Sequence, residues 1–302
     1  MKTILVTGAN GYVGKHLIPQ LRKNNCSVRC LVRKKNDSYS YLRDHGCDVV
    51  YGDLRDKLSL YSISADIDIV IHLAAVTKSG DPSVREVNVT GTENLVDACK
   101  KNKIKRIVFL SSTAAAKVLD SYGKSKKLAE EVISKSNIPY TILRPSIIYS
   151  EDSPMIKGIV KINKKIPFFT PIVGNGRYTI NPVYINDVIF AIINVLNHKD
   201  TIGKTYTIVG PKNITFDNFI EIIHSNLGIK RKKIHIPFFL CYATVWILER
   251  LIKNLAVSTN SLRALKIRSS YDIANAQKDF NYKPIGFEEG MILIKDHLND
   301  GI

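Results

Sequence analysis

Acidic residues are scarce in this 302-residue chain: 27 Asp and Glu stand against 44 Lys and Arg, a formal net charge of +17. The excess suits an anionic ligand or an anionic surface. Yet Lys, Asn and Ile recur throughout, and no concentrated basic helix, RNP-like aromatic motif or zinc-finger spacing appears, so a nucleic acid is not an expected partner. The five cysteines, Cys26, Cys30, Cys47, Cys99 and Cys241, form no CxxC pair and no even framework. That excludes a disulfide scaffold and a thiolate metal site, and it fits a reducing compartment. Repeats and low-complexity tracts are lacking as well. The most apolar run, "IPFFLCYATVWIL" at 236–248, has thirteen residues, too few to span a bilayer. "MKTILVTGANG" meets glycine too soon for a signal peptide, and a cytoplasmic location is expected.

What is present is a rhythm. "KTILVTG" (2–8), "SVRCLVR" (27–33), "DVVYGD" (48–53), "DIVIHLA" (68–74), "RIVFLSS" (106–112) and "YTILRP" (140–145) read as strands of continuous rather than alternating apolar character, as in a parallel sheet buried on both faces. Helical stretches at 11–24, 83–103 and 122–136 lie between them. The expected fold class is α/β: a Rossmann-type doubly wound parallel sheet over 1–150, with a smaller, interleaved C-terminal α/β substrate lobe over 151–302 and residues 183–209 returning to the core. "TFDNFIEIIHSNLG" predicts a helix capped by Thr215. The run 236–248 predicts a helix roofing an apolar pocket. Since "KRKK" (230–233) precedes it and "ERLIK" follows, the other reading is an interfacial helix making peripheral membrane contact over 236–256.

"VTGANGYVG" sets Gly8, Gly11 and Gly14 in G-x-x-G-x-x-G spacing, after the first strand and at the mouth of the first helix, with Asn10, Tyr12 and Val13 in the same turn. Glycines let the backbone turn sharply and approach a pyrophosphate, and a helix N-terminus presents unpaired N–H groups and the positive end of its dipole. Strand before and helix after is the context that makes a glycine triplet a dinucleotide site.

The second strand ends "LVRKK", with no acidic residue to bind a ribose 2′-hydroxyl. Arg33, with Lys34 beside it, is suited to a 2′-phosphate, so NADP is favoured over NAD. Asp53, followed by Leu54, closes the third strand, where its carboxylate can accept from the adenine amine. "HLAA" closes the fourth, where Leu73, Ala74 and Ala75 leave room for the cofactor, and His72 reads as a packed strand-end histidine.

"TGANGYVG", "GDLRD", "HLAA", "NVTGTENLVDAC", "LSST" and "YGKSK" together resemble the extended short-chain dehydrogenase/reductase superfamily, in particular the NAD-dependent epimerase/dehydratase family, and "LRPSIIY", "VYINDV" and "GKTYTIVGP" extend the likeness. The resemblance implies an NAD(P)-dependent redox step at a secondary alcohol or ketone. It makes Tyr122 the general acid/base and has Lys126 hold the nicotinamide ribose and lower the tyrosine's pKa. It makes Thr113 the substrate-orienting hydroxyl, puts Ser111, Ser112 and Pro145 near the nicotinamide, and gives Asn88 a packing or water-relay role. It also implies a homodimer through the helices at 83–103 and 122–136. Tyr122 is the one tyrosine of 14 with a lysine four residues on.

Four departures bear on the substrate. Only "AAAKVLDS" separates Thr113 from Tyr122, a shorter segment than sugar-nucleotide enzymes of the family use. Ile147 stands where they carry an asparagine, with Ser150 replacing a glycine; Ile180 stands where they carry a diphosphate-gripping arginine, with Arg177 nearby. The apolar run 236–248 is closer to steroid- and flavonol-type reductases. The expected function is therefore an NAD(P)-dependent oxidoreductase or epimerase acting on a small molecule, either nucleotide-sugar-like or an apolar ketone. The alternatives are a steroid- or flavonol-like ketone reductase and a non-catalytic dinucleotide-binding scaffold.

Overall fold

The computed structural model describes residues 2–33, 39–166, 168–251, 259, 262–263 and 271–300. Lys34 and residues 252–256 of the expected membrane contact lie outside them. The chain divides into two compact units, one comprising residues up to Ser146, Asn186–Ile208 and Ile273–Tyr282, the other Ile147–Ile185, Val209–Asp272 and Lys283 onward.

The first unit begins with β1 (Thr3–Thr7), α1 (Tyr12–Lys23), β2 (Ser27–Val32), α2 (Ser40–Asp44), β3 (Asp48–Tyr51), α3 (Lys57–Ile63) and β4 (Ile69–His72). One turn of π-helix (Glu86–Thr90) then runs into α4 (Gly91–Lys101), followed by β5 (Arg106–Leu110), α5 (Ala114–Lys117), α6 (Ser121–Ser134) and β6 (Tyr140–Pro145). The second unit takes β7 (Ile148–Tyr149), α7 (Pro154–Lys165), β8 (Phe169–Val173), β9 (Thr179–Ile180) and β10 (Val183–Tyr184). α8 (Ile185–Asn197), from Asn186 on, and β11 (Lys204–Ile208) then belong to the first unit; β12 (Ile214–Thr215), α9 (Phe216–Asn226), β13 (Lys232–Ile236) and α10 (Phe238–Leu251) to the second; α11 (Ala274–Phe280) to the first; and α12 (Phe287–Asp300) to the second.

Seven strands of the first unit form one parallel sheet in the order β3-β2-β1-β4-β5-β6-β11. Consecutive βαβ units run outward from β1 in one direction and from β4 in the other, so the order reverses between them. At such a switch point the strand ends leave a crevice for a ligand. The register levels those ends: Thr7 pairs with His72, His72 with Phe109, and Phe109 with Ile142. Leu5, Val70 and Ile107 from beneath that row, with Ile142 from the row itself, pack against Leu95, Cys99, Ala129 and Ile133 of α4 and α6. Each such side chain removed from water contributes about 1.5–3 kcal/mol.

The helix expected over 83–103 differs at its start. There Gly91 lies so close to Leu54 that a Cβ would meet the leucine's own Cβ at 2.8 Å, and the π-turn accommodates an extra residue ahead of this contact.

The second unit is built on Tyr149, Ile172, Phe219, Ile223, Phe287 and Met291, with Phe219 stacked on Phe287 at 4.5 Å. Thr215 caps α9, its hydroxyl accepting from the Asn218 amide. Ile180 is buried in this core, paired with Ile214 across two antiparallel strands. The run 236–248 forms the expected helix, α10, and none of its residues is fully buried.

Candidate active site

The turn after β1 is set by Gly8, whose φ of +72° a side chain rarely adopts. A Cβ on Gly8 would stand 2.8 Å from the Ala74 amide, and one on Gly14 would stand 2.4 Å from the Ala9 carbonyl oxygen. Backbone therefore meets backbone at both places. Gly11 caps α1 without a side-chain hydrogen bond, and the first turn carries no acidic residue. No acidic side chain competes for the positive end of the helix, which suits an anion. Around this turn Tyr12 and Val13 are half-buried, Asn10 donates to the Tyr39 hydroxyl at 3.3 Å, and Tyr41 donates to the Ala9 carbonyl at 3.0 Å.

Arg33 is exposed at the end of β2. Asp53 follows β3, and its carboxylate is already gripped by Arg55, through the backbone amide at 2.9 Å, Nε at 2.9 Å and Nη2 at 2.8 Å. These hydrogen bonds hold the carboxyl below its usual range, with the charge of Arg33 adding to the effect. A carboxylate offers about four lone-pair sites, so one acceptor position remains for an adenine amine. Leu54, next to it, is buried.

Past β4, the Leu73 amide donates to the Thr7 carbonyl at 3.1 Å, and the Ala74 amide to the Thr7 hydroxyl at 3.3 Å. Leu73, Ala74 and Ala75 are half-buried. His72 is 1% exposed and stacked on Phe109 at 5.2 Å. Burial, with Lys126 nearby, pushes it down to about 3. It is a neutral packed histidine and not a base. Asn88, in the π-turn, accepts from the Val76 amide at 2.8 Å, donates to the Val76 carbonyl at 2.9 Å and donates to Ser125 of α6 at 2.9 Å. Ser125 in turn donates to the Tyr122 carbonyl at 2.7 Å.

Ser111, Ser112 and Thr113 follow β5, and the Thr113 amide donates to the carbonyl of buried Pro145 at 2.9 Å. The short segment to Tyr122 contains α5 and then Val118 in a left-handed turn. Asp120 caps α6 by accepting from the Gly123 amide at 2.7 Å. A Cβ on Gly123 would lie 2.7 Å from the Ala114 carbonyl, so α5 is clamped to the start of α6. Tyr122 and Lys126 follow one turn apart. Burial pushes the Tyr122 phenol up to about 12, while a hydrogen bond with Ser112 acts to lower it. Lys126 Nζ donates to the Leu110 carbonyl at 2.7 Å and lies 4.1 Å over the Phe109 ring. Burial pushes Lys126 down to about 7, against the opposing charge of Glu130.

Glu130 is the residue sequence reasoning missed. It is 4% exposed, accepts from the Ser111 hydroxyl at 2.6 Å, and takes the Arg144 guanidinium through Nε at 2.8 Å and Nη2 at 2.5 Å. Its one available signal is its position four residues after Lys126 on the same helix face.

A pyrophosphate fits the glycine turn, whose backbone tolerates no side chain and whose helix end is uncapped. A ribose fits Lys126, whose ammonium has three donors and spends one on Leu110. An NAD(P) dinucleotide would supply a hydride there, and the chain's own groups would position it and move the proton.

Residues 4–209 match the family model described as the NAD dependent epimerase/dehydratase family. The chain is 31% identical to a putative UDP-glucose 4-epimerase of Methanocaldococcus jannaschii over 77% of this chain and 85% of that one. It is 25% identical to the 2-alkyl-3-oxoalkanoate reductase of Shewanella oneidensis over 97% and 85% respectively. Among solved structures, the UDP-glucuronic acid 4-epimerase of Bacillus cereus, in complex with UDP-glucuronic acid and NAD, superposes with a TM-score of 0.79 at 20% identity, covering 99% of this chain and 100% of that one. At that identity the likeness is one of fold.

Proposed function

Because the chain belongs to the NAD dependent epimerase/dehydratase family, we propose that it is an NADP-favouring reductase of a ketone on an apolar small molecule. The observation that carries the reading is the placement of Tyr122 at the start of α6, one helical turn before Lys126. A phenol is protonated at neutral pH, and a protonated acid is what ketone reduction consumes. In this reading Tyr122 gives its proton to the carbonyl oxygen and Ser112 holds the phenol oxygen. Thr113 orients the substrate, and Lys126 binds the ribose hydroxyls. The turn containing Gly8, Gly11 and Gly14 holds the pyrophosphate, Arg33 takes the 2′-phosphate, and Asp53 accepts from the adenine.

The apolar substrate is supported by Ile147 and by Ile180, whose side chain is committed to a core. An isoleucine side chain offers a nucleotide diphosphate no hydrogen bond where an asparagine or arginine side chain would. The similarity to the Shewanella reductase over nearly the whole chain points the same way. A second reading, interconversion of a nucleotide sugar, is favoured by the 31% identity to the putative UDP-glucose epimerase.

The test is NADPH oxidation with alkyl-substituted 3-oxo acids and steroid-like ketones, run beside UDP-sugar interconversion, in the parent and in Tyr122→Phe. Ketone turnover lost in the variant, with NADPH binding kept, is the expected result. UDP-sugar turnover alone would replace the reading with the second one, and full activity of the variant would remove Tyr122 from the chemistry.

A further inference from the structure

The helix α10 carries its apolar residues outward. At 100° per residue, Phe239, Leu240, Ala243, Trp246, Ile247 and Leu251 share a face about 140° wide. Phe239 is 69%, Leu240 46%, Trp246 48%, Ile247 50% and Leu251 75% exposed. The half-buried residues Phe238, Cys241, Tyr242 and Val245 lie on the opposite side. A surface helix normally shows the reverse polarity. The guanidinium of Arg250, on the same outward face, lies 3.3 Å over the Trp246 ring, and its stem adds to the apolar strip. Five large exposed apolar side chains on one helix make a patch of the kind that marks an interaction surface.

Charge says what covers it. At the start of β13, the strand that leads into the helix, Lys230 and Lys232 are exposed and Arg231 is half-buried with Nη1 donating to the Ile166 carbonyl at 2.9 Å, whereas the neighbouring Lys233 is neutralised by Asp217 and Glu221 at 3.2 and 2.7 Å. The β13–β8 register pairs Lys232 with Phe169, which sets Phe168, 86% exposed, beside this basic segment. No described helix is long and apolar enough to cross a membrane. An outward apolar strip with an interfacial tryptophan and flanking cations suits a helix lying in the headgroup layer.

We propose that α10 docks this chain on an anionic lipid surface, with its outward face in the acyl–headgroup boundary and Lys230, Arg231 and Lys232 on the lipid phosphates. The proposal rests on the second unit alone, so failure of the Tyr122 assay leaves it standing.

Trp246 is the chain's one tryptophan, so it reports on this face directly. The full chain is mixed with vesicles of phosphatidylcholine alone and of phosphatidylcholine with phosphatidylglycerol. Expected with the anionic vesicles are co-sedimentation, a blue shift of tryptophan emission and quenching by bromolipids. Lys230→Glu with Lys232→Glu should weaken binding at least roughly tenfold, and Ile247→Glu with Leu251→Glu should abolish it, both variants melting as the parent does. Unchanged emission with protein left in the supernatant would overturn the proposal. So would equal binding to both vesicle types, or a lipid-free dimer that Ile247→Glu dissociates, which would make a second copy the occupant.

Discussion

Lys126 donates from Nζ to the carbonyl oxygen of Leu110 at 2.7 Å, which ties the middle of α6 to the end of β5 at the cost of burying an ammonium. Burial brings Lys126 from 10.5 down to about 7. The unfolded chain therefore holds this proton more tightly than the folded one, and stability present above pH 10.5 is lost as pH falls toward 7. Replacing Lys126 by Met removes the buried charge. Lys126→Met is expected to lose turnover by roughly 100-fold or more while melting no lower than the parent at pH 7. A markedly lower melting temperature would show that the Leu110 contact outweighs the desolvation.

Glu130 bridges Ser111 and Arg144 from one turn beyond Lys126. Glu130→Gln leaves Arg144 without its counter-charge, and breaking a buried pair from one side costs about 3–5 kcal/mol, less here because Arg144 is partly exposed and the amide keeps one acceptor. It also removes the charge that supports the Lys126 ammonium, so Lys126 should titrate lower. The alkaline limb of the pH–rate profile is expected to move down in the variant, together with a lower denaturation midpoint. Lost stability with an unmoved profile would make Glu130 purely structural.

The glycine turn was legible because Gly8, Gly11 and Gly14 act within one local backbone path, and the six strands because their runs are apolar on both faces. The placement of Tyr122 and Lys126 on one helix face followed from a four-residue spacing. Glu130 was not legible: in a Lys- and Glu-rich helix it looks like a solvated charge, and its partner Arg144 arrives from another strand. Arg55 hid in the same way, since a two-residue spacing does not announce that it grips Asp53. The apolar run at 236–248 announced a helix, but hydropathy gives a helix's content and not the direction it faces. The return of Ile273–Tyr282 to the first unit rests on contacts such as Tyr206 with Asp279, which no local pattern encodes.

His72 offers a pH test of packing at the end of the sheet's central strand. Thr92 donates to the Asn88 carbonyl at 2.7 Å, so its oxygen accepts from His72 Nε2, 3.1 Å away. Nδ1 is then the acceptor for the Thr7 hydroxyl at 2.7 Å, a tautomer assigned from the network. With the folded pKa lowered from 6.5 to about 3, the unfolded chain binds a proton that the folded one refuses. Stability present above pH 6.5 is lost as pH falls toward 3, at about 1.4 kcal/mol per pH unit. Urea midpoints between pH 7 and 5 should fall less steeply in His72→Gln than in the parent. Equal slopes would mean that His72 is not the group responsible.

The proposed preference for NADP rests on Arg33. Its charge reaches Asp53, yet Arg55 already neutralises that carboxylate at 2.8 Å, so the guanidinium of Arg33 is left as a net positive group at the end of β2, where an adenosine 2′-phosphate would lie. Losing one charge-assisted contact of about 1.5 kcal/mol corresponds to roughly tenfold in affinity. Arg33→Ala is therefore expected to weaken NADPH binding about tenfold and NADH binding less than about twofold, read by fluorescence titration in modest salt, because the contact is solvent-exposed and screened. An equal effect on both cofactors would make Arg33 a general surface charge, and a parent protein that binds NADH more tightly than NADPH would overturn the preference itself.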